Sequence, residues 1–288
     1  MTQPSTSMFA ILAREAPVGV LIRRGPSSQA QLIKWNLKND TFEEGQWFRG
    51  PVYERRCDLS PHGTLLIYFA ATYKEPLRSW TAVSKPPWFS AIALWPKGDG
   101  WNGGGLFVDS YSIQLNHFPT EATPHPDFQH GCRKLRIVSC ASYIGEDDTV
   151  WHASLERSGW HHTQRGTWGK YEASPGLAWP AKTPDIWRKS HTKRKLHLEM
   201  QVEGIGERNG RWYVVSYRIV DNSLSGVLNL GRQDWVDWAH NGDLVYTNAG
   251  RLFRRSMKNG ALEMESQIAD FSGNRFQNIK TPSSALKL

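Results

Sequence analysis

Cysteine is scarce. The 288 residues contain three, Cys57, Cys132 and Cys140, an odd number with no C-x-x-C spacing. That excludes a dense disulfide framework and fits free thiols in a reducing compartment. Long apolar runs are missing too. "MFAILA" (8–13) stops at Arg14 and Glu15, far short of the ~20 residues that span a bilayer and short for a secretion signal. These absences predict a soluble, cytoplasmic protein with no membrane partner. No H-E-x-x-H, G-x-S-x-G, Walker A or kinase set occurs, so nothing announces metalloprotease, hydrolase or phosphoryl-transfer chemistry. "WNGGGLF" (101–107) lacks the Lys-Ser/Thr of a phosphate loop, and "GIGERNG" (204–210) misses the dinucleotide spacing. No cofactor is expected from either.

Tryptophan, by contrast, is plentiful at 14 residues, and 35 Lys and Arg against 27 Asp and Glu give a net charge of +8. Large rings cover strand faces in hairpin-rich proteins, and a basic balance favours acidic partners. With 39% hydrophobic residues the chain has enough apolar material for a sizeable core.

A recurring frame organises the chain. "CDLSPHGTLLIYFA" (57–70) places Asp58, then Gly63 five residues on, then an apolar run. "VDWAHNGDLVYT" (236–247) repeats it with Asp237 and Gly242. Pro pre-sets φ and Gly supplies positive φ, so such stretches read as tight hairpins. A second pattern, a strand followed by a short turn of Asn, Asp, Gly or Ser and a bulky residue, recurs at 32–42, 91–101, 150–160, 214–224 and 252–262. Each copy has an apolar run upstream, at 18–24, 65–71, 135–140, 196–202 and 243–247. Groups of four short strands match the blade of a β-propeller.

The Ser60-Pro61-x-Gly63 turn before "LLIYFA" resembles the TolB-like and WD-repeat propellers, in which such a turn links the first two strands of a blade. The resemblance implies an all-β chain: a single β-propeller over 8–288 with about five blades of four antiparallel strands, or six if an insertion hides one. Residues 1–7 are expected to be disordered. Two β-sandwich domains are the alternative. Propellers remove exposed edges by closing the ring, which assigns closure to "MFAILA" or to the tail at 270–288.

Three insertions are predicted. The first, 72–90, holds Trp80, Pro86, Pro87 and Trp88 and reads as a loop pinned by its own rings. The second, 116–132, holds His125, Asp127, His130 and Cys132. These could donate to zinc, but their spacing matches no standard framework, so no metal is expected. The third, 161–195, carries Arg165, Lys170, Lys182, Arg188, Lys189, Lys193, Arg194 and Lys195 against Glu172 and Asp185. Eight positive less two negative charges leave +6, most of the chain's total. Interleaved are Trp168, Tyr171, Trp179 and Trp187. Cations track phosphates and rings stack on bases, so this composition suits single-stranded nucleic acid or another polyanion. The plainer reading is a solvated loop over the propeller edge. The candidate binding residues are Trp168, Tyr171, Trp179, Trp187, Arg188, Lys189, Lys193, Arg194 and Lys195.

The function that fits these presences and absences is a non-catalytic β-propeller acting as an intracellular binding platform for a protein partner. Nucleic-acid or polyanion binding through 161–195 is the first alternative. A carbohydrate-binding protein or glycoside hydrolase-like enzyme is the second, with Asp58 and Asp237 as paired carboxylates, although each Asp equally suits a turn cap.

Overall fold

An apolar run without alternation, such as residues 65–71, suits a strand covered on both faces. The computed structural model, which describes residues 6–25, 28–140, 147–172, 176–208, 210–221 and 226–288, gives that run this role. The chain is all-β and divides into two compact units, one of Phe9–Ser154 with Gly273–Leu288 and one of Met1–Met8 with Leu155–Ser272.

β1 (Ser7–Leu12), of which the first unit takes the part from Phe9 on, β2 (Val18–Arg24), β3 (Gln29–Asn36) and β4 (Thr41–Arg49) form a four-stranded sheet in chain order. A second such sheet contains β5 (Asp58–Leu59), β6 (Leu66–Ala71), β7 (Ser79–Ser84) and β8 (Ala93–Pro96). Successive strand residues point to opposite faces. Leu66, Tyr68 and Ala70 of β6 accordingly pack with Val20, Ile22 and Leu32 of the first sheet. Ile67 turns the other way, into Phe107, Ile113 and Leu115. Those three belong to β9 (Gly105–Phe107) and β10 (Ser112–Leu115), which with β11 (Arg136–Cys140) make a three-stranded sheet. The pair β10–β11 is parallel. A parallel pair needs a long crossover, and here the predicted 116–132 insertion supplies it, coiled into two 3-10 turns and α1 (Gln129–Cys132).

Residues 273–288 lie on this unit without forming a strand. Asn274 Nδ2 donates to Gln31 Oε1 at 2.9 Å and Glu44 Oε2 at 2.6 Å. The Phe276 ring sits 5.9 Å from that of Trp47 and under the Arg49 guanidinium at 4.2 Å. "MFAILA" pairs with β2 in its own sheet. Neither terminal segment makes the ring-closing strand pair expected from the sequence; the tail is fixed by side chains instead.

The stretch 150–157 is helical, where the repeat predicts a hairpin over 150–160: α2 spans Asp147–Arg157. Ala153, Leu155, Glu156 and Arg157 are good helix formers, and Val150 and Trp151 are buried. The helix stops at Gly159, whose N–H returns to the Glu156 carbonyl at 3.0 Å.

The second unit contains β12 (Trp160–Gln164), β13 (Thr167–Trp168), β14 (Leu177–Ser190), β15 (Leu196–Glu207), β16 (Tyr213–Asp221) and β17 (Gly226–Arg232). Their order is β12-β14-β15-β16-β17, with β13 also on β14. The predicted insertion at 161–195 is therefore mostly strand. The last sheet runs β18 (Trp235–Trp238), β19 (Leu244–Asn248), β20 (Arg251–Arg255) and β23 (Ser266–Asp270). The small hairpin of β21 (Met257–Lys258) and β22 (Ala261–Leu262) lies between the last two of these in sequence.

Both frame hairpins form, with Asp58 opposite Ile67 and Asp237 opposite Val245. Gly63 and Gly242 have φ of +72° and +91°, and a Cβ on either would come within 2.8 Å of Val18 or His191. Only glycine suits both demands. The copies at 32–42, 214–224 and 252–262 also yield antiparallel hairpins, although 222–225 lies outside the described residues. The copy at 91–101 does not: β8 ends at Pro96, and the following strand joins the next sheet. There the buried Arg56 guanidinium donates to the Gly100 carbonyl at 2.8 Å and also to that of Asn102, drawing the chain away from β8.

The predicted 72–90 insertion contains the buried strand β7. Of the expected disordered segment 1–7, residues 1–5 lie outside the described residues and Ser7 opens β1. Among the described residues the sheets are separate and none closes into a barrel. No helix among them is long and apolar enough to cross a membrane.

Candidate functional site

The nine candidate residues all lie in the second unit, on or beside the long β14–β15 hairpin, and the structure sorts them into three groups. Trp187, Arg188 and Lys189 are committed to the fold. Trp187 is 1% exposed; its ring stacks on His162 with centroids 4.5 Å apart, and its Nε1 donates to Asp185 Oδ2 at 3.0 Å. Asp185 also accepts from His162 Nε2 and the Gly166 N–H, each at 2.8 Å. Burial pushes the Asp185 carboxyl up, but the Gly166, His162 and Trp187 donors outweigh it and hold the group below the usual carboxylate range.

Arg188 and Arg218 sit opposite Glu199 on the two flanking strands. They donate to its two carboxylate oxygens at 2.8 and 2.6 Å, while Gln201 adds a third donor at 2.7 Å. The Glu199 side chain is fully buried. Burial alone would raise its pKa, yet Gln201, Arg188 and Arg218 hold it below the ordinary value. Lys189 Nζ lies 2.6 Å from Asp237 Oδ1.

The second group is Lys193, Arg194 and Lys195, exposed in the turn between β14 and β15. His191 fixes that turn: its Nδ1 accepts the Lys193 N–H at 3.0 Å, so Nε2 carries the proton and donates to the Gly242 carbonyl at 3.0 Å.

The third group is aromatic and open. Trp168, Tyr171 and Trp179 are 41%, 64% and 37% exposed, and they are joined by Trp212 at 49%. The Tyr171 and Trp179 rings are 5.3 Å apart, and Trp179 and Trp212 are 6.1 Å apart, with interplanar angles of 56° and 70°. Trp168 stands opposite Ala181, two residues along β14 from Trp179 and hence on the same face. Backbone bonds tie the segments together: Gly169 N–H to Pro180, Glu172 N–H to Ala178, and Gly206 N–H to Trp212. Lys170, Lys182 and Arg208, close in sequence to these rings, are exposed. None of the three makes an ion pair among the described residues, whereas the nearby Arg211 is held by Asp234 and Arg232 by Glu203 and Glu207.

Trp212 escaped the sequence reading because it falls between two recurring patterns. The signal was a tryptophan directly after the polar hairpin turn "ERNGR" (207–211), a position where a ring has little core to enter. The basic turn and the rings occupy opposite ends of β15. From residue 197 to 205, at ~3.3 Å per residue, the separation is about 25 Å.

The remaining candidates are tied to backbone groups. Asp58 is buried and accepts the Phe107 N–H at 2.7 Å, and Asp237 accepts the Trp238 N–H at 2.7 Å besides its bond to Lys189. His125 Nδ1 accepts the Asp127 N–H at 3.3 Å, and Cys132 is buried against the Leu94 carbonyl. Among the described residues no three His, Cys, Asp or Glu side chains gather as metal ligands. No protein-family model matches the chain, and no curated protein matches it in sequence.

Proposed function

We propose that this chain is a non-catalytic binding protein of β-propeller architecture, working in the cytoplasm, and that its ligand is a polyanion. The propeller part draws support from four-stranded sheets formed in chain order and from the double-sided packing of β6, as in stacked blades. The observation that carries the binding part is the set of exposed rings Trp168, Tyr171, Trp179 and Trp212, with Lys170, Lys182 and Arg208 exposed close to them in sequence and making no ion pair among the described residues. Clustered aromatic surface is costly to leave in water and marks interaction sites. Asp58 and Asp237 each accept a backbone N–H, which supports the turn-capping role over the catalytic one and leaves the rings as the main support for the carbohydrate alternative.

Binding of fluorescein-labelled heparin, followed by anisotropy, tests this. Affinity should fall steeply as salt rises and should drop about tenfold in Lys170→Ala/Lys182→Ala/Arg208→Ala. Absence of binding at low salt overturns the polyanion reading. A protein partner is the second reading, favoured by the Trp, Tyr and Arg content of the face, which is that of interface hot spots. It would show as a stoichiometric complex insensitive to salt and lost in Trp179→Ala.

A further inference from the structure

We infer that the aromatic face takes single-stranded nucleic acid, with bases stacked on Tyr171, Trp179 and Trp212 and phosphates met by Lys170, Lys182 and Arg208. The inference rests on the polyanion reading and adds base recognition to it. Three observations select this ligand among polyanions. First, the rings are present and open: a ligand that offered only negative charge would leave their faces unused, whereas every base has a π-face to stack.

Second, the rings are tilted by 56° and 70° to one another. A duplex keeps its bases parallel and inside, so it cannot serve rings set at such angles. A single strand can splay successive bases onto each ring in turn. Third, the rings are carried by paired backbone and not by a free loop. The Gly169–Pro180 and Gly206–Trp212 hydrogen bonds fix the segments that bear Tyr171, Trp179 and Trp212. Little ordering is then left to oppose binding. Charge agrees: Glu172 is the one acid close in sequence to the rings that lacks an ion pair among the described residues, against three unpaired cations.

The turn at Lys193, Arg194 and Lys195 lies about 25 Å away along β15 and is outside the proposed site. This separates the inference from a general attraction to basic residues, since the most basic tripeptide of the segment should matter least.

The experiment is fluorescence anisotropy with a labelled oligothymidylate of about 20 nucleotides, at about 50 and 200 mM salt. Labelled heparin and a DNA duplex serve as parallel probes. Three phosphate contacts predict a slope of log K against log salt of about −2. Trp179→Ala and Trp212→Ala should each weaken oligothymidylate binding about tenfold or more, with Trp179→Phe retaining most of it. Heparin binding should change little in the ring variants, and Lys193→Ala/Arg194→Ala/Lys195→Ala should stay within about twofold of wild type on oligothymidylate.

Circular dichroism and melting curves verify that the ring variants fold, as the exposure of both side chains leads one to expect. If the ring variants bind oligothymidylate as wild type does while heparin still binds, base stacking is overturned and the polyanion reading stands. Equal affinity for duplex and single strand likewise overturns it. If neither probe binds at the lower salt, both readings fall and a protein partner takes their place.

Discussion

The β5–β8 sheet and the β12–β17 sheet are built from the same unit, antiparallel strands joined by tight turns, and put it to opposite uses. In the first, β6 is buried at every position and β7 nearly so. In the second, β12 is exposed beyond its first residue, and β14 alternates between half-buried and exposed positions until Asp185 and Trp187. A sheet covered on both sides has no surface left with which to recognise anything. A sheet with one open face can carry rings and charges in fixed positions. The closed sheet is scaffold and the open one holds the candidate site.

The sharpest way to break this contrast is to truncate one large ring in each. Phe69, fully buried in β6, should cost about 3–5 kcal/mol as Phe69→Ala, whereas Trp179→Ala, which gives up two ring contacts at a part-open site, should cost no more than about 1–2 kcal/mol. Denaturant titration measures both. Similar losses in the two variants would mean that the second sheet is as tightly covered as the first.

Next in size is deletion of residues 271–288. It removes the Asn274 bonds to Gln31 and Glu44 and the Phe276 contacts with Trp47 and Arg49. A loss of about 2–4 kcal/mol follows from exposing these groups. A clear fall in melting temperature is expected, and an unchanged curve would count against the tail as part of the first unit's cover.

The smallest effect tests the ordered end of the open sheet. Asp185→Asn weakens a carboxylate that accepts from His162, Trp187 and Gly166, at a cost of about 1–3 kcal/mol. Because the folded-state pKa of Asp185 is lowered, its ionised form contributes stability that is complete above the unfolded value. That contribution is lost as pH falls from about the ordinary 3.8 through the folded value. The variant should therefore show a flatter acid limb in stability against pH. An acid limb identical to wild type would show that the Asp185 network contributes nothing at this end.

How much of this was legible depended on burial. The run at 65–71 announced a strand because both its faces are apolar, and the Asp58/Gly63 and Asp237/Gly242 frames announced hairpins because only glycine fits their turns. The strands within 161–195 were not legible for the converse reason. A strand with one open face carries charge at close intervals, and prolines such as Pro180 and Pro184 are rare inside paired strands. In the structure both fall at the register shift between Pro180 and Asp185, where the β14–β15 ladder is interrupted. Helix α2 was missed because the turn residues Arg157, Ser158 and Gly159 stop a helix as well as they reverse a strand. The site was half legible: Trp168, Tyr171 and Trp179 stood out, Trp212 did not, and no spacing rule revealed that Arg188 and Lys189 answer to Glu199 and Asp237.

The return of residues 273–288 to the first unit has a consequence for biosynthesis. Asn274 and its partner Gln31 are 243 positions apart. At translation rates of about 5–20 residues per second, Gln31, Glu44 and Trp47 leave the ribosome roughly 12–50 s before the segment that covers them. Throughout that interval the nascent first unit lacks the cover that Asn274 and Phe276 give to Gln31, Glu44 and the Trp47 ring, and the second unit must be synthesised before the gap can close.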